Sequence, residues 1–417
     1  MNKQERSWVF YDWANSAYSI AITSTIFPIF FKGVLSKGVE GYTSTAWLGY
    51  GNSIYTLVIA VLAPILGTIA DYKNYKKRFF LGFFLLGVVA TACLALTREG
   101  GWISALVIYI FTALGFAGAN IFYDSFLVDV APRERMDWVS TSGFAWGYIG
   151  STIPFILGIA LIMKYDLLGF STSVPAVKIS FLVTALWWFV FTIPLLKNVK
   201  QTYFIEPSRT PVGDSFRRLA DTFRRIRQYR NVFIFLIAYF LYIDGVDTII
   251  KMATAFGTDM GISANMLMII LLAVQFVAFP FALLYGKLAK VFSAKRMLFV
   301  GILVYVVITI TAFFIPYFKD PGTRIIIFWV LSMLVASSQG GIQALSRSFY
   351  GKLIPKEESA EFFGFYNIFG KFAAILGPFL MGLVTQVTKS SGVGILSLIV
   401  LFIAGGIVLT MAKENDS

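Results

Sequence analysis

Gly67-Thr-Ile-Ala-Asp71-Tyr-Lys-Asn-Tyr-Lys-Lys-Arg78 joins two long apolar runs, and a diverged copy, Gly286-Lys-Leu-Ala-Lys290-Val-Phe-Ser-Ala-Lys-Arg296, joins two others 219 residues later. Gly67 aligns with Gly286, Ala70 with Ala289, and Lys76-Lys77 with Lys295-Arg296. A second match follows in the same order: Ala131-Pro-Arg-Glu134 and Ile354-Pro-Lys-Glu357, at an offset of 223. Two matches in one order predict a duplicated half. A glycine at a helix end lets another backbone approach closely. Asp71, followed by Lys77 and Arg78, supplies charges for a latch that holds one side of a bundle closed. The second copy carries Lys290 where the first has Asp71, so the two latches cannot be alike.

Around these loops the chain is apolar. Its 417 residues are 58% hydrophobic and only 14% charged, against about 25% charged in soluble domains. The apolar runs recur at about the 20 residues a bilayer requires, and twelve of them read as spanning helices. The expected fold is an all-α membrane protein of two pseudo-symmetric six-helix bundles, 1–196 and 231–417, joined by a linker at 197–230. With the N-terminus inside, 25 of the 35 Lys and Arg residues fall at cytoplasmic ends and loops. The positive-inside rule then puts both termini in the cytoplasm, and the expected location is the plasma membrane. The net charge of +13 serves this topology, and no nucleic-acid partner is expected. In the linker, Phe216, Leu219, Ala220, Phe223 and Ile226 form one face, with Arg217, Arg218, Arg224, Arg225 and Arg227 around the rest. This is a basic amphipathic helix suited to an anionic cytoplasmic leaflet. The chain has no histidine and one cysteine, Cys93. Histidine catalysis, a histidine proton relay, cysteine metal clusters and intrachain disulfides are thereby excluded. There is no phosphate-binding loop, so neither an enzyme nor an ATP-driven pump is expected, no cofactor is implied, and a monomer is expected.

Polar residues inside apolar helices are costly and mark sites. In the first helix Asp12, Asn15, Ser16, Ser19 and Thr23 form one stripe at helical spacing. It reads either as the lining of a solute-accessible cavity or as a hydrogen-bonded seam between helices. Asp12, near the cytoplasmic mouth, suits a gate; Asn15, Ser16 and Ser19 lie deeper. In the seventh helix Asp244, Asp247 and Lys251 share a face. Two carboxylates one turn apart in a poor dielectric do not both ionise readily, which is the chemistry of proton coupling. The structural alternative is neutralisation of Asp247 by Lys251. Gly245 between the acids would let this helix bend. In the eleventh helix Lys371 lies too deep to snorkel and requires a carboxylate, Asp244 or Asp247, or an anionic ligand. Asp124 in helix four aligns with Arg347 in helix ten, placing opposite charges at equivalent depth for a gate or for the two ends of a substrate.

The Gly67–Arg78 loop resembles the signature of the major facilitator superfamily: a glycine, an acid four residues on, then a basic cluster. The resemblance implies that helices 1, 4, 7 and 10 line a central cavity and that helices 2, 5, 8 and 11 form the moving interface. Tyr11-Asp-Trp-Ala-Asn-Ser-Ala-Tyr18, Phe240-Leu-Tyr-Ile-Asp-Gly-Val-Asp247, Gly340-Gly-Ile-Gln-Ala-Leu-Ser-Arg347-Ser and the run Leu353–Lys371 resemble a narrower branch. That branch contains the autophagy-related vacuolar amino-acid effluxers and their bacterial relatives. It implies export of neutral or aromatic amino acids.

The expected activity is secondary transport by alternating access, coupled to protons. Asn15, Ser16, Ser19, Gln343, Asn367 and Lys371, with Tyr148, Tyr239 and Tyr242, combine charge, amides and aromatic surface. Such a site suits a zwitterion with an apolar side chain. The alternatives are export of a lipid or other amphiphile, and a membrane scaffold or sensor that moves nothing.

Overall fold

The computed structural model of the chain describes residues 1–39, 41–206, 221 and 228–413. Among them twelve helices are long and apolar enough to cross a membrane. They are α1 (Lys3–Leu35), α2 (Trp47–Ala70), α3 (Tyr75–Leu96), α4 (Trp102–Val130), α5 (Arg133–Met163), α6 (Val174–Asn198), α7 (Arg230–Ala253), α8 (Met266–Phe292), α9 (Ala294–Tyr317), α10 (Pro321–Leu353), α11 (Ser359–Thr388) and α12 (Ser391–Met411). Most of the linker, 207–220 and 222–227, lies outside the described residues, and with it the expected amphipathic helix.

The helices begin and end where local chemistry permits. Asn2 caps α1: its Oδ1 accepts from the Glu5 N–H at 2.8 Å, and its own N–H donates to the Glu5 carboxylate at 2.7 Å. This reciprocal box starts the helix several residues before its apolar run. Asn74, at φ 68°, makes the tight left-handed turn between α2 and α3 that asparagine tolerates. Inside the helices hydroxyls bond to the preceding turn, as Thr91 does to the Gly87 carbonyl and Thr309 to that of Tyr305. In lipid this satisfies a donor that water would otherwise serve. Leu57, Val61, Leu186, Leu303 and Val400 are exposed, the apolar coat a bilayer demands.

α1 is not uniform. Ser19–Ser24 and Phe31–Leu35 are wound as π-helix, and the α-helical stretch between them starts only at Ile26. Ser24 donates to the Ser19 carbonyl at 3.1 Å, and Thr25 donates to that of Ile20. Side-chain donors thus take up carbonyls that the widened backbone turns away from the axis.

Two compact units result. The first holds Met1–Pro132, Trp146–Leu219 and Lys356–Phe365; the second holds Arg133–Ala145, Ala220–Pro355 and Tyr366–Ser417. Each therefore contains one short segment from the other half of the sequence: the start of α11 in the first unit and the start of α5 in the second. The aligned glycines explain both insertions. In the first unit a Cβ on Gly67 would sit 2.5 Å from the Ala360 carbonyl oxygen and 2.9 Å from the Glu361 Cα. In the second, a Cβ on Gly286 would overlap the Thr141 hydroxyl and lie 3.3 Å from the Trp138 ring. At Gly67 the absent Cβ lets two backbones meet, and at Gly286 it makes room for the Thr141 and Trp138 side chains.

Gly67→Ala should therefore lower stability by about 1–3 kcal/mol, the usual cost of overpacking, because the obstructing atoms are backbone. Gly82→Ala, whose added methyl meets nothing within 4 Å, should leave the thermal midpoint unchanged. Thermal unfolding of the purified variants compares the two.

Candidate functional site

The end of the first unit that carries the N-terminus holds a cluster of buried charge. Asp71, Lys76 and Asp129 are all within the buried set, the first two with no exposed surface. Asp71 follows the last turn of α2 and accepts one N–H on each oxygen: Ala360 at 2.8 Å and Glu361 at 3.0 Å. These are amides of the first turn of α11, which no carbonyl of their own helix can serve, at the positive end of its dipole. Lys76 is the second residue of α3. Its ammonium donates to Asp129 at the end of α4 and to the hydroxyl of Ser359 at the start of α11, each at 2.8 Å. Asp129 takes the Thr202 and Tyr203 N–H groups on its other oxygen, at 2.7 and 2.9 Å. Every charge in the cluster is paired or hydrogen-bonded, as burial requires.

The sequence reading named Asp71, Lys77 and Arg78 for the latch. Asp71 is there, but the cation beside it is Lys76. Lys77 reaches the Val199 carbonyl at 3.0 Å, and Arg78 lies over the Tyr75 ring at 5.5 Å. The turn at Asn74 sets the phase of α3 so that Lys76 faces inward and Arg78 outward. Burial drives the Asp71 carboxyl up to about 8, opposed by the charge of Lys76 and the two N–H donors.

The second unit has a related but chemically different arrangement. Arg347 of α10 is buried; its Nε donates to the Ser140 hydroxyl at 3.0 Å and a terminal nitrogen to the Ser140 carbonyl at 3.1 Å. Its guanidinium lies over the Phe144 ring at 4.6 Å. Asp137, in the first turns of α5, receives Lys352 at 2.5 Å and the Ser348 hydroxyl at 2.6 Å. Here α5 is held by side chains of α10, with a serine and an aspartate as the receiving groups. Asp124, aligned with Arg347 in the repeat, lies in the first unit near the end of α4, half-buried.

The polar stripe of α1 occupies the first unit. Asn15 donates to the Asn120 amide oxygen of α4 at 2.7 Å, and Asp12 and Asn15 are buried. Ser16 lies against Gly147 of α5. Ser16 and Ser19 are half-buried while Thr23 and Ser24 are exposed, so the stripe opens progressively toward the π-helical stretch. Tyr148 is half-buried, and its carbonyl accepts the Ser151 and Thr152 hydroxyls. In the second unit Tyr239 stacks on Tyr366 at 4.3 Å, which stacks in turn on Tyr350 at 5.0 Å. Tyr242 is fully buried, its hydroxyl 2.6 Å from that of Ser346, which makes it part of the packing between α7 and α10. Gln343 and Asn367 are half-buried.

Asp244 is fully buried and accepts the Gly377 N–H of α11 at 2.8 Å. A Cβ on Gly377 would lie 2.7 Å from the same carboxylate and would overlap the Thr248 hydroxyl, so α7 and α11 meet closely here. Asp247 is half-buried. The side chain of Lys371 lies outside the described residues. α-Helix runs unbroken through Gly245 over Arg230–Asp259, and the glycine gives room to the Phe402 ring, 2.6 Å from where its Cβ would be.

A family model described as vacuole effluxer Atg22 like matches residues 39–417. The chain is similar to the uncharacterized MFS-type transporter YxiO of Bacillus subtilis (strain 168), with 52% identity over 100% of this chain and 96% of that one. Autophagy-related protein 22 of Coccidioides immitis (strain RS) is 24% identical over 84% of this chain and 69% of its own. Among solved structures, the proton:xylose symporter XylE aligns at a TM-score of 0.75 with 10% identity, over 99% of this chain and 95% of that one. The transporter FucP in its outward conformation aligns at 0.73 with 14% identity, over 99% of both chains. Both share the major facilitator fold.

Two outcomes follow from the buried cluster. Lys76→Met leaves Asp129 with an uncompensated buried charge and should cost about 3–5 kcal/mol, part of which the added change Asp129→Asn should restore; thermal unfolding of the single and double variants reads this. The second outcome concerns pH. A folded carboxyl raised from 3.8 to about 8 binds a proton that the released, hydrated group would lose. The grip on α11 is therefore strongest below pH about 4 and weakens as pH rises toward about 8. Hydrogen exchange at Ala360 and Glu361, corrected for intrinsic rate, should accelerate across that window in the native chain and stay flat in Asp71→Asn.

Proposed function

The chain belongs to the vacuole effluxer Atg22-like family, within the major facilitator superfamily, and we propose that it is a secondary active transporter exporting an amino acid or similar zwitterion. It is a multi-pass membrane protein with a transporter fold rather than an enzyme. The observation that carries the mechanism is the grip of Asp71 and Lys76 on the first turn of α11. It ties together parts of the chain from opposite halves of the sequence, yet consists of hydrogen bonds and one ion pair. Such contacts can be exchanged for water without breaking a hydrophobic core, as alternating access requires.

The substrate class rests on the family resemblance and on the residues along α1, α7, α10 and α11. Asn15, Ser16 and Ser19 offer hydroxyls and amides to the polar end of a solute. Tyr148, Tyr239 and the neighbouring rings offer apolar surface, and Gln343, Asn367 and Lys371 are the remaining candidates. Asp244 and Asp247 carry the proposed proton coupling, because a carboxylate buried beside a second one is readily loaded and unloaded as its access to water changes. Asp12, Asp124 and Arg347 are proposed gating groups, with Lys77 and Arg78 at the outer edge of the latch. On this reading the protein sits in the plasma membrane with both termini in the cytoplasm, and it acts as a monomer.

A second reading, export of an amphiphile, is favoured by one feature. The second unit holds an apolar cavity of about 50 Å³ lined by Ile249, Phe256, Phe328, Leu331, Met381 and Leu398, with room for a short alkyl group.

Proteoliposomes separate the readings. Labelled neutral and aromatic amino acids should exchange across the membrane, and an imposed pH gradient should drive their accumulation. Asp244→Asn and Asp247→Asn should abolish the gradient-driven component and retain part of the exchange. Unchanged pH dependence in both variants would sink proton coupling at these residues, and flux confined to amphiphiles would favour the second reading.

A further inference from the structure

The segment that leaves α6, Val199–Glu206, is bound along its length to the buried cluster of the first unit. Gln201 donates its amide to the carbonyls of Ala70 and Asp71, at 3.1 and 3.3 Å. The Ile205 N–H donates to the Asp71 carbonyl at 2.9 Å, and the Lys73 N–H to the Ile205 carbonyl at 3.2 Å. These last two bonds form a parallel bridge between Tyr72 and Ile205. The Ala70 and Asp71 carbonyls end α2 and have no donor within their own helix, so this segment supplies the C-cap of the helix that presents Asp71. On its other side, the Thr202 and Tyr203 N–H groups fix the Asp129 oxygen that does not face Lys76. Lys77 ties down its beginning through the Val199 carbonyl. Near its far end, Lys73 lies over the Phe204 ring and 3.8 Å from the exposed Glu206 carboxylate.

We propose that Val199–Glu206 is a positioning strap for the latch. Docked, it holds the end of α2 and the Asp129 carboxylate in the one arrangement that presents Asp71 and Lys76 to the first turn of α11. Undocked, it leaves three buried polar groups seeking other partners, and the grip on α11 slackens. The two sides of the strap act on the two arms of the latch separately: its side chain and bridge on Asp71 through α2, and its amides on Lys76 through Asp129. The inference concerns the latch alone and stands whatever solute the protein moves.

A covalent clasp tests this. Lys73→Cys with Glu206→Cys, in a Cys93→Ser chain to remove the native thiol, puts a thiol pair on two exposed side chains that already approach each other. Joined by a short bis-maleimide, the strap cannot leave. The measurement is hydrogen exchange over residues 359–364, whose Ala360 and Glu361 amides are the bonds to Asp71. The clasped protein should exchange there several-fold more slowly than the same variant left unjoined. Gln201→Ala should exchange several-fold faster, and the clasp should reverse that gain. Equal exchange at 359–364 with and without the clasp overturns the proposal. So does a Gln201→Ala effect spread evenly over α2, α3 and α4, which would mark general loosening of the unit.

Discussion

Taking an ammonium and two carboxyl groups out of water is the constraint on which the first unit depends. Asp71, Lys76 and Asp129 leave solvent together, and each must recover in hydrogen bonds what it loses in hydration. The groups that meet here come from five places: the ends of α2 and α4, the first turn of α3, the segment after α6 and the first turn of α11. A buried ion pair of this kind contributes little net stability compared with apolar residues of the same volume, yet is costly to break from one side only. That asymmetry suits a device that must be specific when closed and cheap to open once water reaches it.

The two halves of the chain keep the same steric solution and part company in electrostatics. Gly67 and Gly286 each let a foreign helix start lie against the last turns of their own helix. In the first unit the arriving helix is held through its own backbone, by a carboxylate on its N-terminal amides. In the second it is held through side chains, by Arg347 on Ser140 and Lys352 on Asp137. The first grip includes a carboxyl raised into the physiological pH range and the second does not depend on that group. Both units keep a glycine at the close approach, and the charged groups around it differ.

Deep in the helices, polar groups are few, and many of them bond within the protein. Hydroxyls bond to the preceding turn, Asn15 to Asn120, Tyr242 to Ser346. Where α1 widens into π-helix, Thr23 and Ser24 are exposed. Asp244 shows the same economy in another form: its carboxylate takes a backbone N–H from α11 at a glycine, so the charge that the transport reading needs is also a contact between two helices.

The twelve spans, the repeat and the glycine-to-acid spacing were legible in the sequence because each depends on local chemistry: the length of apolar runs, the register of two similar loops, a residue without a Cβ at a helix end. The polar stripe of α1 and the acids of α7 were legible for the same reason, as groups that lipid does not tolerate without a purpose. Tertiary structure decided which partners these groups found. Among three consecutive basic residues, only the turn at Asn74 determines that Lys76 points inward. Nothing local links Asp71 to amides 289 positions later, Asp137 to Lys352, or Asp129 to the strap after α6. Hydrogen bonds are short-ranged and directional, so their partners are set by where packing brings the helix ends. Gly245 makes the same point in reverse: its spacing suggested a hinge, and the ring of Phe402 packed against it made it a contact.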